Sequence, residues 1–167
     1  MTLFAIVTSV ACATYIYLGL LTLIVDNRSA VHRAFAALCA AFMVWSFGTT
    51  GQNLAISGPA RPVFDRISYT GAELYSLFGL IFFLHLSKNE RKKGFRFAVS
   101  VAVGVIAIQQ FMNWRWNLIA DGFPYGFWHL SHHATVNSVN VFGLIMTARW
   151  GASSKFRRER IQAALIF

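Results

Sequence analysis

The sequence predicts an all-α, polytopic membrane helical bundle with five complete transmembrane helices, the start of a sixth, and the N-terminus outside. The first observation is composition, since hydrophobic residues make up 56% of the 167 residues, against about 45–50% in soluble domains. The second is that these residues form five long stretches, and about 20 apolar residues can cross a bilayer. The third is that basic residues collect in alternate gaps between the stretches. We therefore expect one transmembrane domain over residues 1–167.

The first three spans are predicted at residues 3–25, 34–54 and 67–87. The first span begins after Thr2, a capping residue, and ends where Asp26 returns the chain to water. The short loop that follows predicts an antiparallel hairpin of the first two helices. A turn at Gly58 and Pro59 separates the second span from the third.

The later spans are predicted at residues 97–113 and 135–150, and a sixth begins at 161 and runs to 167. The fourth span ends at Trp114 and Trp116, and tryptophan pairs of this kind anchor a helix at the headgroup level. The segment 117–128 is aromatic and broken by glycine. We expect it on the outer surface or folded over the mouth of the bundle.

The basic residues predict the orientation. Twelve of the fifteen lysines and arginines lie in the gaps that follow the first, third and fifth spans or, for Arg149, at the inner end of the fifth span. The other two gaps hold only Arg61, Arg66 and Arg115. Because short basic loops remain on the cytoplasmic side, the N-terminus is predicted outside and the 88–96 loop inside.

Composition also excludes several classes of function. A net charge of +9 would suggest nucleic acid in a soluble protein, but here the basic residues serve topology and contact with anionic lipid headgroups. Cys12 and Cys39 both lie inside spans, where they form neither a disulfide framework nor a metal site. The chain lacks a phosphate loop, a nucleophile with a base and paired carboxylates, so we predict no enzyme, no cofactor and no nucleic-acid partner.

Polar residues within the spans concentrate toward the predicted outer half of the membrane. Such side chains are normally turned toward the bundle interior or a water-filled cavity, because contact with lipid is costly. The pattern predicts an outward-facing polar cavity. The candidate ligand-binding residues are Glu73, Gln52, Gln110, Asn113, Asn137 and Asn140.

Glu73 is the sharpest candidate, since it is the carboxylate that lies well inside a predicted span. One interpretation is a carboxylate that contacts ligand or binds a proton in the cavity. The other is a structural residue that hydrogen-bonds to a neighbour or to water. The interior amides have the same two interpretations, because Asn and Gln often bridge helices for packing alone. In either case we expect Glu73 to face protein and not lipid.

Three histidines, His129, His132 and His133, have a spacing that would place them on one helical face. They are weak metal candidates, because the glutamate and the distant third ligand of a catalytic zinc motif are absent. Haem is disfavoured as well, since His85 is predicted at the opposite side of the membrane from His132 and His133. We predict no metal.

Two segments resemble a known family: residues 27–38, NRSAVHRAFAAL, running on to Trp45, and residues 66–73, RISYTGAE. The basic start of the sixth span, RERIQA at 158–163, fits as well. The chain resembles the N-terminal seven-helix membrane region found ahead of bacterial histidine kinases. The resemblance implies an input region with an outside N-terminus, in the bacterial cytoplasmic (inner) membrane. The sequence stops at the start of the sixth helix, so autophosphorylation is not carried over.

The leading interpretation is a membrane sensor region that detects a small molecule, a lipid or a membrane state and relays it to a cytoplasmic output. The alternative is a structural or accessory subunit of a larger membrane complex. A transporter ranks third, because no two halves with matching broken helices are visible. The expected partners are the bilayer with its anionic headgroups and a cytoplasmic signalling output or other membrane subunits, with a homodimer as one possible assembly.

Overall fold

The chain folds into five α-helices in a computed structural model that describes residues 3–55, 58–87, 93–115 and 125–154. They are α1 (Leu3–Asp26), α2 (Ala30–Leu54), α3 (Arg61–Leu86), α4 (Lys93–Arg115) and α5 (Tyr125–Ser153). Within these ranges every regular element is helical, which confirms the all-α class. The predicted sixth span, residues 161–167, and the Thr2 cap lie outside the described residues.

Four of the helices, α1 to α4, are long and apolar enough to cross a membrane, with 24, 25, 26 and 23 residues. The 29-residue α5 is not in this group. The reason is its polar first half, which contains His132, His133 and Asn137 among other polar residues. The prediction of five complete spans therefore has compositional support for four of the described helices.

The helices begin earlier than their apolar stretches do. Ser29 caps α2 by accepting a hydrogen bond from the His32 backbone N–H at 3.5 Å, and Pro62 occupies the first turn of α3, where its fixed φ is favourable. The largest difference is α5, predicted from 135 but starting at Tyr125. Tyr125–Trp128, expected outside a helix, is therefore helical. The terminal turns of a helix can be polar or aromatic, and they then lie outside the apolar stretch from which the span was predicted. Such turns still form helical backbone hydrogen bonds.

Helix α3 is central, since α2, α4 and α5 all pack on it, while α1 packs on α2. Only Ala5 and Thr8 of α1 are buried, so its leucines and isoleucines face outward. A stack of rings joins the first three helices: Phe42 lies 4.8 Å from Tyr15 and 4.7 Å from Tyr75 between ring centroids. Signals that move α3 therefore reach every other described helix directly or through α2.

Glycines bring α2 and α3 into backbone contact. A Cβ added at Gly48 would clash with the backbone of Ser68, and one added at Gly71 would clash with the backbone of Trp45. Small residues permit this close approach in membrane bundles, where packing and not the hydrophobic effect holds helices together. This close crossing fixes the position, relative to α2, of the half of α3 that carries the polar residues.

Candidate functional site

Glu73 is buried near the middle of α3, with only 1% of its surface exposed. Its neighbours along the same helix, Gly71, Ala72 and Ser76, are buried as well. The small side chains leave room for the carboxylate between α3 and two of the helices that pack on it, α4 and α5. Glu73 thus faces protein, as the cost of lipid contact predicts.

The carboxylate of Glu73 binds two other helices at once. Gln110 Nε2 of α4 donates to Glu73 Oε2 at 2.5 Å. His132 Nδ1 of α5 lies 2.9 Å from Glu73 Oε1, and the histidine is 3% exposed. This second bond requires one proton shared between carboxylate and imidazole. Helices α3, α4 and α5 are therefore joined at a single side chain.

Hydrogen bonds continue from Glu73 toward one end of the bundle. The Thr70 hydroxyl lies 2.6 Å from Gln110 Oε1, and Trp114 Nε1 donates to Thr70 Oγ1 at 3.1 Å. Trp114 is 49% exposed, and the Arg66 guanidinium lies 5.9 Å from its ring centroid. We call Thr70, Glu73, Gln110 and His132 the Glu73 network, and Arg66 with Trp114 its exposed rim.

Packing holds His132 in place. The ring of Tyr69 meets the His132 ring edge-on, with centroids 4.7 Å apart, and the His133 ring lies 5.5 Å away. A buried polar pair is stable only when both partners are hydrogen-bonded, and removal of either leaves the other uncompensated. The network is consequently sensitive to any movement of α4 or α5 relative to α3.

A second polar contact between α4 and α5 lies beside the Glu73 network. Gln109 Nε2 donates to Thr135 Oγ1 at 3.1 Å. Gln109 Oε1 and Asn113 Nδ2 are buried and have no hydrogen-bond partner among the described residues. Each such group costs about 1–3 kcal/mol when unpaired. The two groups are one acceptor and one donor, a pair that water or a ligand could satisfy.

An apolar cavity of about 520 Å³ lies between α4 and α5, with Leu80 of α3 in its wall. Val101 and Val105 of α4 and Phe142 of α5 also line it. Its polar lining residues are Thr135, which binds Gln109, and Ser138. The volume lies within the range typical of ligand sites, and the lining favours an apolar occupant.

The structure bonds two of the six candidate residues, Glu73 and Gln110, to each other and places the other four at separate positions. Asn113 is buried on α4. Gln52 is hydrogen-bonded to Asp65. Asn137 is exposed, and Asn140 lies next to Gly79. Polar side chains of α3, α4 and α5 thus bond to each other, and the outward-facing polar cavity remains a prediction.

The three histidines differ in their surroundings. His132 is bonded to Glu73 and His133 packs against the His132 ring, while for His129 only the backbone is described. In the described part of the chain, no three His, Cys, Asp or Glu residues are grouped as a metal site would require. The metal prediction therefore stays a prediction.

Sequence reasoning missed the pairing of His132 with Glu73, and it missed the role of Thr70. His132 was predicted at the outer end of the fifth helix, just before the 135–150 span, and was considered only as a weak metal candidate. In the structure it lies two turns inside α5. The helix-start signal of Pro124, directly before Tyr125, could have placed it there.

Comparison with known families gives one match. A family model described as the N-terminal 7TM region of histidine kinase matches residues 1–167, which confirms the resemblance carried by segments 27–38 and 66–73. No curated protein matches the chain, and no solved structure matches it.

Proposed function

Because this chain belongs to the N-terminal 7TM regions of histidine kinases, we propose that its Glu73 network converts an input signal into a change of helix packing. The region is a multi-pass membrane sensor of two-component signalling, and it is distinct from the catalytic part of the kinase. In this proposal it catalyses nothing itself and passes its state to a cytoplasmic output.

One observation carries the proposal: Glu73 of α3 binds Gln110 of α4 and His132 of α5 simultaneously. Helices α4 and α5 each pack on α3, and an apolar cavity of about 520 Å³ lies between them. A signal that tilts or shifts either helix must therefore break or re-form bonds to this carboxylate. A connection of this kind favours two discrete arrangements of the helices over a continuous range of arrangements.

The energies involved are of the right size for a switch. Leaving a buried hydrogen-bonding group unpaired costs about 1–3 kcal/mol, so the loss of both Glu73 bonds costs about 2–6 kcal/mol. Moving a two-state equilibrium from 1:99 to 99:1 requires about 5.5 kcal/mol. A ligand that stabilises one arrangement of the network could therefore shift most of the population.

The surroundings of the network support two routes for the signal. Within the rim, Trp114 is exposed and accessible to a polar small molecule, while the cavity bounded by Leu80 and Phe142 suits an apolar ligand or a lipid chain. The charge pattern of the loops supports a bacterial inner-membrane protein with its N-terminus outside. In that orientation α5 is the fifth span, and the rim faces outward.

The experiment is a Glu73→Gln substitution in the full-length histidine kinase that contains this region. The amide keeps the shape and can still bond to Gln110 and His132, but it cannot carry the charge of a carboxylate. We expect a shift of about 1–2 kcal/mol, which is roughly a 5–30-fold change in the ratio of signalling states. Autophosphorylation in membrane vesicles measures it, with and without stimulus.

Asp26→Asn is the matched control, because it makes the same chemical change at an exposed carboxylate at the end of α1. It should leave the basal activity and the response unchanged. A folded, membrane-inserted Glu73→Gln kinase with the activity and response of the parent would reject the proposal.

A further inference from the structure

A crevice between α3 and α4 lies at the end of α3 opposite to the exposed rim, and it differs in character from the Glu73 network. Its volume is about 460 Å³. It is lined by His85 of α3 and Arg96 of α4, and by apolar side chains that include Ile81, Leu84 and Val99. We propose that this crevice binds one anionic phospholipid, with its phosphate at Arg96 and His85 and one acyl chain along the apolar residues.

The order of residues along both helices matches an amphiphile. Arg96 lies in the first turn of α4, which begins at Lys93, and His85 lies in the last turn of α3. Ile81 and Val99 are each about one turn further from those ends. The charged side chains of the crevice therefore lie where the helices reach the membrane surface, and its deeper lining is apolar except for Ser100, which suits a phospholipid.

Charge complementarity selects the head group. Arg96 offers a planar set of N–H donors that suits phosphate, and the described lining contains no Asp or Glu. The adjoining sequence 88–96 contains five basic residues and one glutamate. Basic crevices between transmembrane helices at such a surface are typical binding sites for anionic lipid head groups. A soluble anion would gain nothing from Ile81, Leu84 and Val99.

The inference extends the proposed function without depending on it, because His85 lies about three turns of α3 away from Glu73. A bound lipid would fix the relative position of the end of α3 and the start of α4. The lipid would then act as a structural or regulatory ligand at the membrane surface.

The experiment measures lipid retention by native mass spectrometry on the purified protein after reconstitution and partial delipidation. Vesicles contain either phosphatidylglycerol or phosphatidylcholine. We expect one retained phosphatidylglycerol that phosphatidylcholine does not replace. Arg96→Gln should lower its occupancy about tenfold, since a charged hydrogen-bonding pair is lost.

Lys93→Gln is the matched control, because Lys93 is a basic residue of the same turn that is not among the described lining residues. It should retain the lipid within about twofold of the parent. Val99→Trp keeps every charge but fills the apolar part, and it should also release the lipid. Circular dichroism and gel filtration establish that each variant is folded.

Three outcomes would overturn the inference. Equal retention of both lipids would show that the crevice does not select anionic head groups. Equal losses for Arg96→Gln and Lys93→Gln would show general attraction to a basic surface. Displacement by inorganic phosphate alone would show a site for anions without a lipid chain.

Unchanged signalling in Glu73→Gln would reject only the proposed function, since lipid retention is measured without signalling.

Discussion

At the scale of single residues, the Glu73–His132 contact is maintained by the cost of leaving either group alone. Both side chains are at most 4% exposed, so water is not an alternative partner. Gln110 satisfies the second carboxylate oxygen of Glu73. The buried polar groups of α4 and α5 at this point, Gln110 and His132, are therefore both hydrogen-bonded to one carboxylate of α3.

The first prediction concerns stability at this position. Glu73→Ala leaves the His132 ring and the Gln110 amide unpaired, and we expect a loss of about 2–4 kcal/mol in the free energy of unfolding. Glu73→Gln can still accept from Gln110 and donate to His132, so its loss should be about 1 kcal/mol or less. Thermal or denaturant unfolding in detergent measures both. Equal stability of the two variants would contradict the pairing.

The second prediction concerns the histidines. We expect the purified protein to contain no stoichiometric metal and no haem, because the three histidines lack the glutamate and the distant third ligand of a catalytic zinc motif, and His85 is predicted at the opposite side of the membrane. Elemental analysis and an absorption spectrum measure this. One equivalent of zinc, copper or iron that disappears in His133→Ala would contradict the prediction, and this variant leaves the Glu73 bonds intact.

Single-residue features were predictable from the sequence to different degrees. The inward position of Glu73 followed from the cost of a carboxylate in lipid, which does not depend on knowing its partner. Gln110 was among the candidates because an amide at similar depth could supply a donor. His132 was not placed in the network because pairing across helices requires the relative depth and rotation of two helices. A helix start predicted ten residues late removed that information.

At the scale of elements, the contact between α2 and α3 depends on Gly48 and Gly71. Each meets backbone of the opposite helix, at Ser68 and at Trp45 respectively. No flexible side chain at these points can move aside to admit a methyl group. The spacing of apolar residues predicted the two helices but not the point at which they cross. A glycine that faces another helix cannot be distinguished by sequence alone from a glycine that faces lipid.

The third prediction tests this crossing. Gly48→Ala and Gly71→Ala should each force the helices apart and destabilise the protein by about 1–3 kcal/mol. Gly104→Ala on α4 is the control, since no atom lies within 4 Å of its added Cβ. The control should be neutral or slightly stabilising, because alanine favours helix over glycine. Melting temperatures in detergent compare the three variants, and equal values for all of them would contradict the close crossing.

At the scale of the whole molecule, hydropathy and length predicted the helical class because a bilayer leaves few alternatives for backbone hydrogen bonding. They did not predict that α3 is the central one of the described helices, with α1 packed on α2. That arrangement depends on which faces are complementary in shape, such as the ring stack of Tyr15, Phe42 and Tyr75. The expected polar cavity also depends on packing, so it stays a prediction beside the observed pairing of Glu73 with Gln110 and His132.

The last prediction concerns the orientation of the whole bundle. Twelve of fifteen basic residues lie in or next to alternate gaps, so the N-terminus and the 55–60 turn should be outside and the 88–96 loop inside. In a background of Cys12→Ala and Cys39→Ala, a cysteine at Ser57 should react with an impermeant thiol reagent in intact cells. A cysteine at Asn89 should react only after the cells are permeabilised. The reverse labelling would invert the topology, and the Glu73 network with its rim of Arg66 and Trp114 would then open toward the cytoplasm.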